Sequence, residues 1–126
     1  ANAEALPYAD ESQDAVVCVY LFHELPSEAR AAAAKEMARV VKPGGIVVFV
    51  DSIQTNDRPK LDATLGNFQY LNEPHYPTYI AEDVGELFIS QGLEAHEKHL
   101  SSTSKCLSFT KPVEMFTVKK ISSDAL

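Results

Sequence analysis

The hydrophobic pattern divides the first half of the chain into a strand, a helix and a strand. Residues 14–22 are nearly all apolar and rich in valine, which predicts a strand buried on both faces. Residues 25–42 predict a helix, and residues 46–50 predict a second buried strand. One face of the helix carries Ala33, Met37, Val40 and Val41. Because short links join the three elements, we expect a βαβ unit with parallel strands.

The ends of this helix are predicted from its capping residues. Ser27 is a candidate N-cap, and Lys42 falls in the last turn, where a cation complements the helix dipole. Pro43 cannot continue a helix, and Gly44 and Gly45 permit a positive φ. We therefore expect a sharp turn between the helix and the second strand.

The pattern after residue 52 is less regular. Residues 53–78 mix polar residues, prolines and aromatics, which predicts a short helix near 58–66 and then an irregular segment. Residues 79–92 predict one helix that stops at Gly92. Its apolar face carries Ile80, Val84, Leu87 and Phe88.

The last part of the chain predicts a hairpin. Residues 93–112 hold two strand-like runs around Ser-Ser-Thr-Ser, a link short enough for an antiparallel pair. Residues 113–121 predict either an edge strand or a segment docked on the surface. The sequence as a whole, residues 1–126, predicts one α/β domain.

Composition and charge narrow the class of protein. The chain is 45% hydrophobic and 23% charged, with a net charge of −7. This charge argues against nucleic acid or an anionic membrane as a partner, although it also serves simple solubility. The first residues lack the pattern of a signal peptide. Cys18 and Cys106 are expected as free thiols, so we expect an intracellular, reducing compartment.

An ordered series of motifs gives the chain a family resemblance. Residues 2–26 read NAEALPYADESQDAVVCVYLFHELP, residues 36–45 read EMARVVKPGG and residues 46–52 read IVVFVDS. Together they resemble the class I S-adenosylmethionine-dependent methyltransferases, whereas residues 79–110 match that family only in architecture. The resemblance implies the C-terminal half of a Rossmann-like sheet, a parallel βαβ unit followed by an antiparallel hairpin.

Three departures qualify this resemblance. Asn2 stands where the family has an acidic residue, and Glu24 stands where it often has a second histidine. No Gly-x-Gly loop occurs in the chain, although the family binds its cofactor on such a loop. The resemblance therefore implies a fragment without the glycine-loop half, which we expect to be inactive alone.

The resemblance assigns a cofactor, S-adenosyl-L-methionine, to residues near the strand ends. Asn2 and Ala3 match the pair that contacts the adenine. Cys18, Val19 and Tyr20 match the strand end whose backbone accepts from the ammonium group, with Tyr20 facing the methyl. The alternatives are an ordinary polar terminus for Asn2 and plain strand packing for Cys18.

Three further polar residues near the carboxyl ends of the predicted strands are candidates for the site. His23 matches the first histidine of the family, which contacts the methionine part of the cofactor or orients substrate; a structural histidine at a helix start is the alternative. Glu24 is a candidate general base or a solvated carboxylate. Asp51 ends the second strand, where it either faces the site or caps the next element.

Aromatic residues in the irregular segment are candidates for the acceptor side. They are Phe68, Tyr70, His75 and Tyr76, with Tyr79 beside them. Loops at this edge of α/β folds often cover binding sites, but a hydrophobic cluster that anchors the loop is equally consistent.

No metal site is predicted. His96 and His99 lie three residues apart on a predicted strand, so their side chains face opposite sides if the strand is regular. No cysteine, histidine and carboxylate pattern has zinc spacing.

The resemblance thus implies a methyltransferase, and the acidic charge and the aromatic segment favour a small-molecule acceptor. The alternatives are a non-catalytic α/β interaction or dimerisation module and half of another nucleotide-binding protein. The strand at residues 14–20 would have an unpaired edge, so we also expect a homodimer through that edge.

Overall fold

A four-stranded sheet organises the residues that the computed structural model describes, which are 2–67 and 74–113. The strands are β1 (Gln13–Val19), β2 (Val41–Ser52), β3 (Glu94–Ser101) and β4 (Ser104–Thr110). Their order in the sheet is β1-β2-β4-β3. β1 and β2 are parallel, and β4 runs antiparallel to both β2 and β3. The predicted α/β fold, a parallel pair followed by an antiparallel hairpin, is confirmed.

Four helices accompany this sheet in the described part of the chain. They are α1 (Ser27–Val40), α2 (Asp62–Asn67), α3 (Tyr76–Ala81) and α4 (Val84–Ile89). Two 3₁₀ turns, Phe22–Glu24 and Pro59–Leu61, precede α1 and α2. The helix expected near 58–66 is thus a 3₁₀ turn followed by α2. The suggestion of an edge strand at 113–121 lies almost entirely outside the described residues.

The ends of α1 differ from the prediction. Pro26, not Ser27, is the N-cap residue, and Ser27 Oγ instead donates a hydrogen bond to Glu82. Lys42 already belongs to β2. The last carbonyls of α1, those of Arg39 and Val40, accept the backbone N–H groups of Glu11 and Ser12. Because these carbonyls are satisfied from another segment, the chain enters β2 without a separate capping turn.

The Pro-Gly-Gly sequence forms an irregularity within β2 instead of a free turn. The pairing with β1 shifts from Gln13 opposite Val41 to Ala15 opposite Ile46. Gly44 has a φ of +82°, and a Cβ on Gly45 would lie 2.7 Å from the carbonyl oxygen of Asp14. The glycines are therefore needed where β2 passes closely beside β1.

The first strand is shorter and less buried than predicted. It ends at Val19, and Phe22 belongs to the following 3₁₀ turn. Val17 and Val19 are 61% and 57% exposed, whereas Cys18 between them is buried. Alternate residues of a strand face opposite sides, so one face of β1 is covered and the other is open. The prediction of burial on both faces is wrong for this chain.

The single helix predicted at 79–92 is two helices. The chain becomes extended at Glu82, and the Asp83 side chain caps α4 by accepting the N–H of Glu86. Gly92 follows α4 with a φ of +90°, which confirms the predicted stop.

The core lies between the sheet and helices α1 and α4. Phe22 packs on Phe49 with ring centroids 5.1 Å apart, and Phe88 stacks on Phe109 at 4.8 Å. The predicted apolar positions of the first helical segment are all buried, although Val41 belongs to β2. Within the described ranges, no helix has the length and apolar character that a membrane span requires.

Candidate functional site

A buried carboxylate lies where β1 and β2 end side by side. Asp51 is fully buried at the end of β2, and its Oδ1 lies 2.8 Å from His23 Nδ1. The backbone N–H groups of Ser52 and His23 also donate to this carboxylate, at 2.7 and 3.3 Å. Asp51 therefore faces the strand-end region, and its main partner is the histidine after β1.

His23 is held in place by the turn that follows β1. Tyr20 leaves the strand with a φ of +51°, and its N–H donates to the Val50 carbonyl, which directs the chain over the sheet edge. The His23 ring meets Tyr76 and Tyr79 edge-on, with centroids 6.5 and 6.4 Å away. Its side chain remains 17% exposed. The structure thus brings His23 and the acceptor-side candidate Tyr76 together.

The two tyrosines form an uncharged wall beside the histidine. Tyr79 donates from its hydroxyl to the Ser52 carbonyl at 2.5 Å. Burial, with the nearby charge of Asp51, raises the pKa of Tyr79 far above its usual range. Burial also raises the pKa of Tyr76. Both phenols therefore remain protonated at neutral pH.

The charge of the Asp51 carboxylate also affects the thiol of Cys18. Burial first, and the charge of Asp51 second, raise the pKa of its thiol to about 11. A thiol with this pKa is a weak nucleophile at neutral pH. Cys18 and Cys106 are both free, as predicted, and burial favours packing as the role of Cys18.

An apolar groove brings three of the cofactor candidates together. The groove has a volume of about 320 Å³ and lies beside β1. It is lined by Ala3, Leu6, Val16, Val17, Cys18, Val19, Leu21 and Met37. Asn2 adjoins it, exposed, and its side-chain oxygen accepts the N–H of Glu4 at 2.9 Å. A carbonyl oxygen has a second lone pair, so a hydrogen-bond acceptor and an apolar groove lie side by side.

The remaining candidates fall in other places. The Tyr20 hydroxyl hydrogen-bonds to Ser104 Oγ at the start of β4 and does not line the groove. His75 is the N-cap residue of α3, where its carbonyl accepts the N–H of Tyr79. Glu24 is 59% exposed, with Oε1 3.9 Å from His23 Nε2. Phe68 and Tyr70 lie outside the described residues.

A separate cleft lies next to the loop after β2. It has a volume of about 520 Å³ and adjoins Asp57, Lys98 and Lys105. Asp57 accepts from Lys98 Nζ at 2.6 Å and from Lys105 Nζ at 2.8 Å, so these charges satisfy one another. We interpret this cluster as a structural tie between the loop after β2 and the hairpin.

The histidines of β3 lie on an irregular strand. A register shift between Ala95 and Glu97 breaks the regular alternation that the prediction assumed. His96 and His99 both approach Glu97, with nitrogen to oxygen distances of 3.8 and 2.8 Å. In the residues that the structure describes, no group of three or more potential ligands is arranged to hold a metal ion.

Sequence reasoning named His23 and Asp51 separately but missed that they form a pair. The signal was present, because each follows one of two adjacent parallel strands, and the carboxyl ends of such strands meet at one edge. The buried guanidinium of Arg30, which reaches Glu82, Leu25 and Thr78, had no sequence signal of its own.

The sheet order, the parallel pair and the terminal hairpin define the class of protein. They match the fold of class I S-adenosylmethionine-dependent methyltransferases, and the first part of the chain has the sequence features of a methyltransferase domain. The family model described as a methyltransferase domain matches residues 1–49.

Individual relatives agree with this assignment. The chain is 30% identical over 110 residues to an uncharacterized methyltransferase-like protein of Schizosaccharomyces pombe, covering 85% of this chain and 40% of that protein. It is 36% identical over 75 residues to an uncharacterized methyltransferase of Bacillus subtilis, covering 60% of this chain and 28% of that protein. It therefore spans less than half the length of these relatives.

A solved structure gives the same fold. A SAM-dependent methyltransferase from Methanosarcina mazei superposes with a TM-score of 0.67 at 17% identity, covering 90% of this chain and 66% of that one. At this identity the similarity supports the fold alone.

Proposed function

We propose that the protein carrying this chain transfers a methyl group from S-adenosyl-L-methionine to a small molecule. The observation that carries the proposal is the groove beside β1, where Ala3, Cys18 and Val19 lie together next to Asn2. The matched methyltransferase motifs fall in the same part of the chain. In open α/β sheets, ligands bind beyond the carboxyl ends of the strands, and the groove extends along β1 to its carboxyl end at Val19.

The residues of this chain would hold only part of the cofactor. Asn2 offers its amide oxygen and Ala3 its backbone N–H to the adenine, and the β1 end offers carbonyls to the ammonium group. When bound, S-adenosyl-L-methionine supplies a methyl group on a positively charged sulfur. The 126-residue chain has no Gly-x-Gly loop. We therefore expect the chain by itself to bind the cofactor poorly and to be inactive.

A small acceptor is favoured by charge and by the lining of the site. The net charge of −7 disfavours a polyanionic nucleic acid. Tyr76 and Tyr79 pack against His23 as buried, uncharged rings, so the surroundings of His23 are largely apolar. Such surroundings suit an apolar or aromatic molecule and exclude water from it.

Calorimetric titration of the protein carrying this chain with S-adenosyl-L-methionine tests the proposal. Asn2→Ala removes one neutral hydrogen bond, worth about 0.5–1.5 kcal/mol, so the affinity should fall roughly 2- to 12-fold. Gln91→Ala, an exposed position outside the groove, should leave the affinity unchanged. Equal affinities for Asn2→Ala and the parent protein would contradict the adenine assignment.

A non-catalytic interaction module is the second candidate. The observation that favours it is the open face and unpaired outer edge of β1 in the described chain. The same titration separates the two functions, because a pure interaction module would give no heat with the cofactor.

A further inference from the structure

We propose that His23, oriented by Asp51, is the general base that takes the proton from an acceptor hydroxyl during methyl transfer. This proposal rests on the proposed function and names the class of acceptor. It requires a histidine with one nitrogen fixed, the other open to a ligand, and no competing base of higher reactivity beside it. The structure meets each requirement.

The fixed nitrogen is Nδ1. It lies 2.8 Å from Oδ1 of Asp51, which is fully buried. That carboxylate also accepts from the backbone of Ser52 at 2.7 Å and of His23 at 3.3 Å, so only donors surround it. A carboxylate can only accept, so Nδ1 carries the proton and Nε2 carries the lone pair. Asp51 is therefore a positioning residue, and Nε2 is the atom that can receive a proton.

The open nitrogen is directed away from the buried carboxylate. Nε2 lies 3.9 Å from Oε1 of Glu24, a residue with a 59% exposed side chain, and so it lies near the surface. On the remaining sides the ring meets Tyr76 and Tyr79 edge-on. An acceptor would thus reach Nε2 from the side of Glu24.

The other titratable groups near His23 are poorly suited to the role. Tyr76 and Tyr79 on α3 have pKa values raised by burial, and the buried thiol of Cys18 on β1 has a pKa raised to about 11. All three therefore stay protonated at neutral pH. The Glu24 side chain is 59% exposed, so it lies on the solvent side of the ring. Of this set, His23 is the group that a hydrogen bond on Nδ1 orients, with Nε2 left to receive a proton.

The step is a proton transfer from the acceptor to His23. Nε2 takes the proton of the acceptor hydroxyl, and the electron pair of the broken O–H bond stays on the oxygen. That oxygen then forms the bond to the methyl carbon, while the electron pair of the carbon–sulfur bond stays on sulfur. The resulting imidazolium is stabilised by the Asp51 carboxylate and returns its proton to water on the side of Glu24. The base is needed for a hydroxyl that is protonated at neutral pH and unnecessary for one that is already ionised.

The first test reads the tautomer of His23 without any acceptor. Nitrogen-15 spectra of the protein carrying this chain should show Nδ1 protonated and Nε2 bare at neutral pH. Asp51→Leu removes the acceptor altogether, so the preference of the proton for Nδ1 should be lost and Nε2 should become partly protonated. A parent protein with Nε2 protonated, or an Asp51→Leu variant with an unchanged tautomer, would overturn the proposal.

The second test uses two probe acceptors, catechol and 4-nitrocatechol. Catechol is protonated at neutral pH, whereas the nitro group makes the hydroxyl of 4-nitrocatechol acidic enough to ionise. His23→Asn can still donate to Asp51 but cannot act as a base. It should lower the rate of transfer to catechol about 100-fold or more, and the rate to 4-nitrocatechol far less. His96→Asn, at an exposed position of β3, should leave both rates unchanged.

The outcomes separate this proposal from the proposed function. Equal losses with both catechols would assign His23 a structural role and overturn the proposal. Cofactor binding without transfer to either catechol would overturn the acceptor class. If the parent protein does not bind S-adenosyl-L-methionine, the proposed function itself fails, whereas the tautomer of His23 is measured without cofactor and still tests the His23–Asp51 pair.

Discussion

Replacing Arg30 by methionine should destabilise the fold more than any surface substitution. Arg30 lies on α1 and is fully buried. Its Nε donates to Glu82 Oε1 at 2.7 Å, Nη1 to the Leu25 carbonyl at 2.5 Å, and Nη2 to Thr78 Oγ1 at 3.1 Å. These contacts join the start of α1 to α3 and to the link before α4. Methionine keeps the apolar stem of the side chain and removes every one of these donors.

The expected loss of stability depends on the partners of Arg30 that remain unpaired in the variant. Breaking a buried ion pair by removing one partner costs about 3–5 kcal/mol. The Glu82 side chain is 23% exposed and can regain some water, which places the expected loss near the lower end, at about 3 kcal/mol. The Leu25 carbonyl also loses a donor, so the loss should not be much smaller.

Urea unfolding followed by circular dichroism measures this loss. Arg58→Met is the matched control, because Arg58 donates one exposed hydrogen bond to the Ser102 carbonyl and should cost about 1 kcal/mol or less. The midpoint should fall for Arg30→Met while the m-value stays constant. Equal midpoints for the two variants would refute the reasoning that Arg30 ties α1 to α3.

Four further predictions follow from other parts of the chain. Gly45→Ala should lower stability by about 1–3 kcal/mol in urea unfolding, because its Cβ would lie 2.7 Å from the Asp14 carbonyl oxygen; unchanged stability would contradict the close approach. With its pKa raised from 9.0 to about 11, Cys18 should react with a thiol reagent at pH 8 about 100-fold more slowly in the folded chain than in urea. Equal rates would show an accessible thiolate. Burial opposes ionisation of Asp57, but hydrogen bonds from Lys105 and Lys98 offset it and lower its pKa below 3.8. Ionised Asp57 should therefore stabilise the fold fully above pH 3.8, and this stabilisation should disappear as the pH falls through the lower pKa of the folded state. Acid unfolding should show this loss in the parent chain and not in Asp57→Asn. In sedimentation at high concentration, the 126-residue chain should form a dimer through the outer edge of β1. The Val17→Lys variant should dimerise less, and a parent chain that stays a folded monomer would contradict the prediction.

The sequence by itself determined the kind and order of the main elements. The valine-rich run before α1, the apolar run after it and the two alternating runs near the C-terminus each form a strand, as their patterns predict. These patterns are local, because the same side chains that favour a strand also show which faces it can bury. The family resemblance added that the parallel βαβ unit and the antiparallel hairpin belong to one Rossmann-like sheet, which local pattern alone does not give.

The exact ends of the elements were decided by tertiary contacts. Ser27 looks like an N-cap, but its hydroxyl bonds to Glu82, a residue far along the chain. The helix predicted at 79–92 divides at Glu82, which pairs with the buried Arg30, and Asp83 then caps α4. Propensity and capping rules act within a few residues, so they cannot anticipate a partner fifty residues away.

The candidate site shows the same division. The sequence placed His23 and Asp51 each after a strand, and left open whether Asp51 faces the site. Only the parallel pairing of β1 with β2 brings Nδ1 of His23 within 2.8 Å of Asp51. The exposure of Val17 and Val19 was likewise hidden, because an apolar pattern shows that a strand can be buried but not what covers it. Burial and pairing depend on the positions of distant segments, and these are fixed only when the whole sheet has formed.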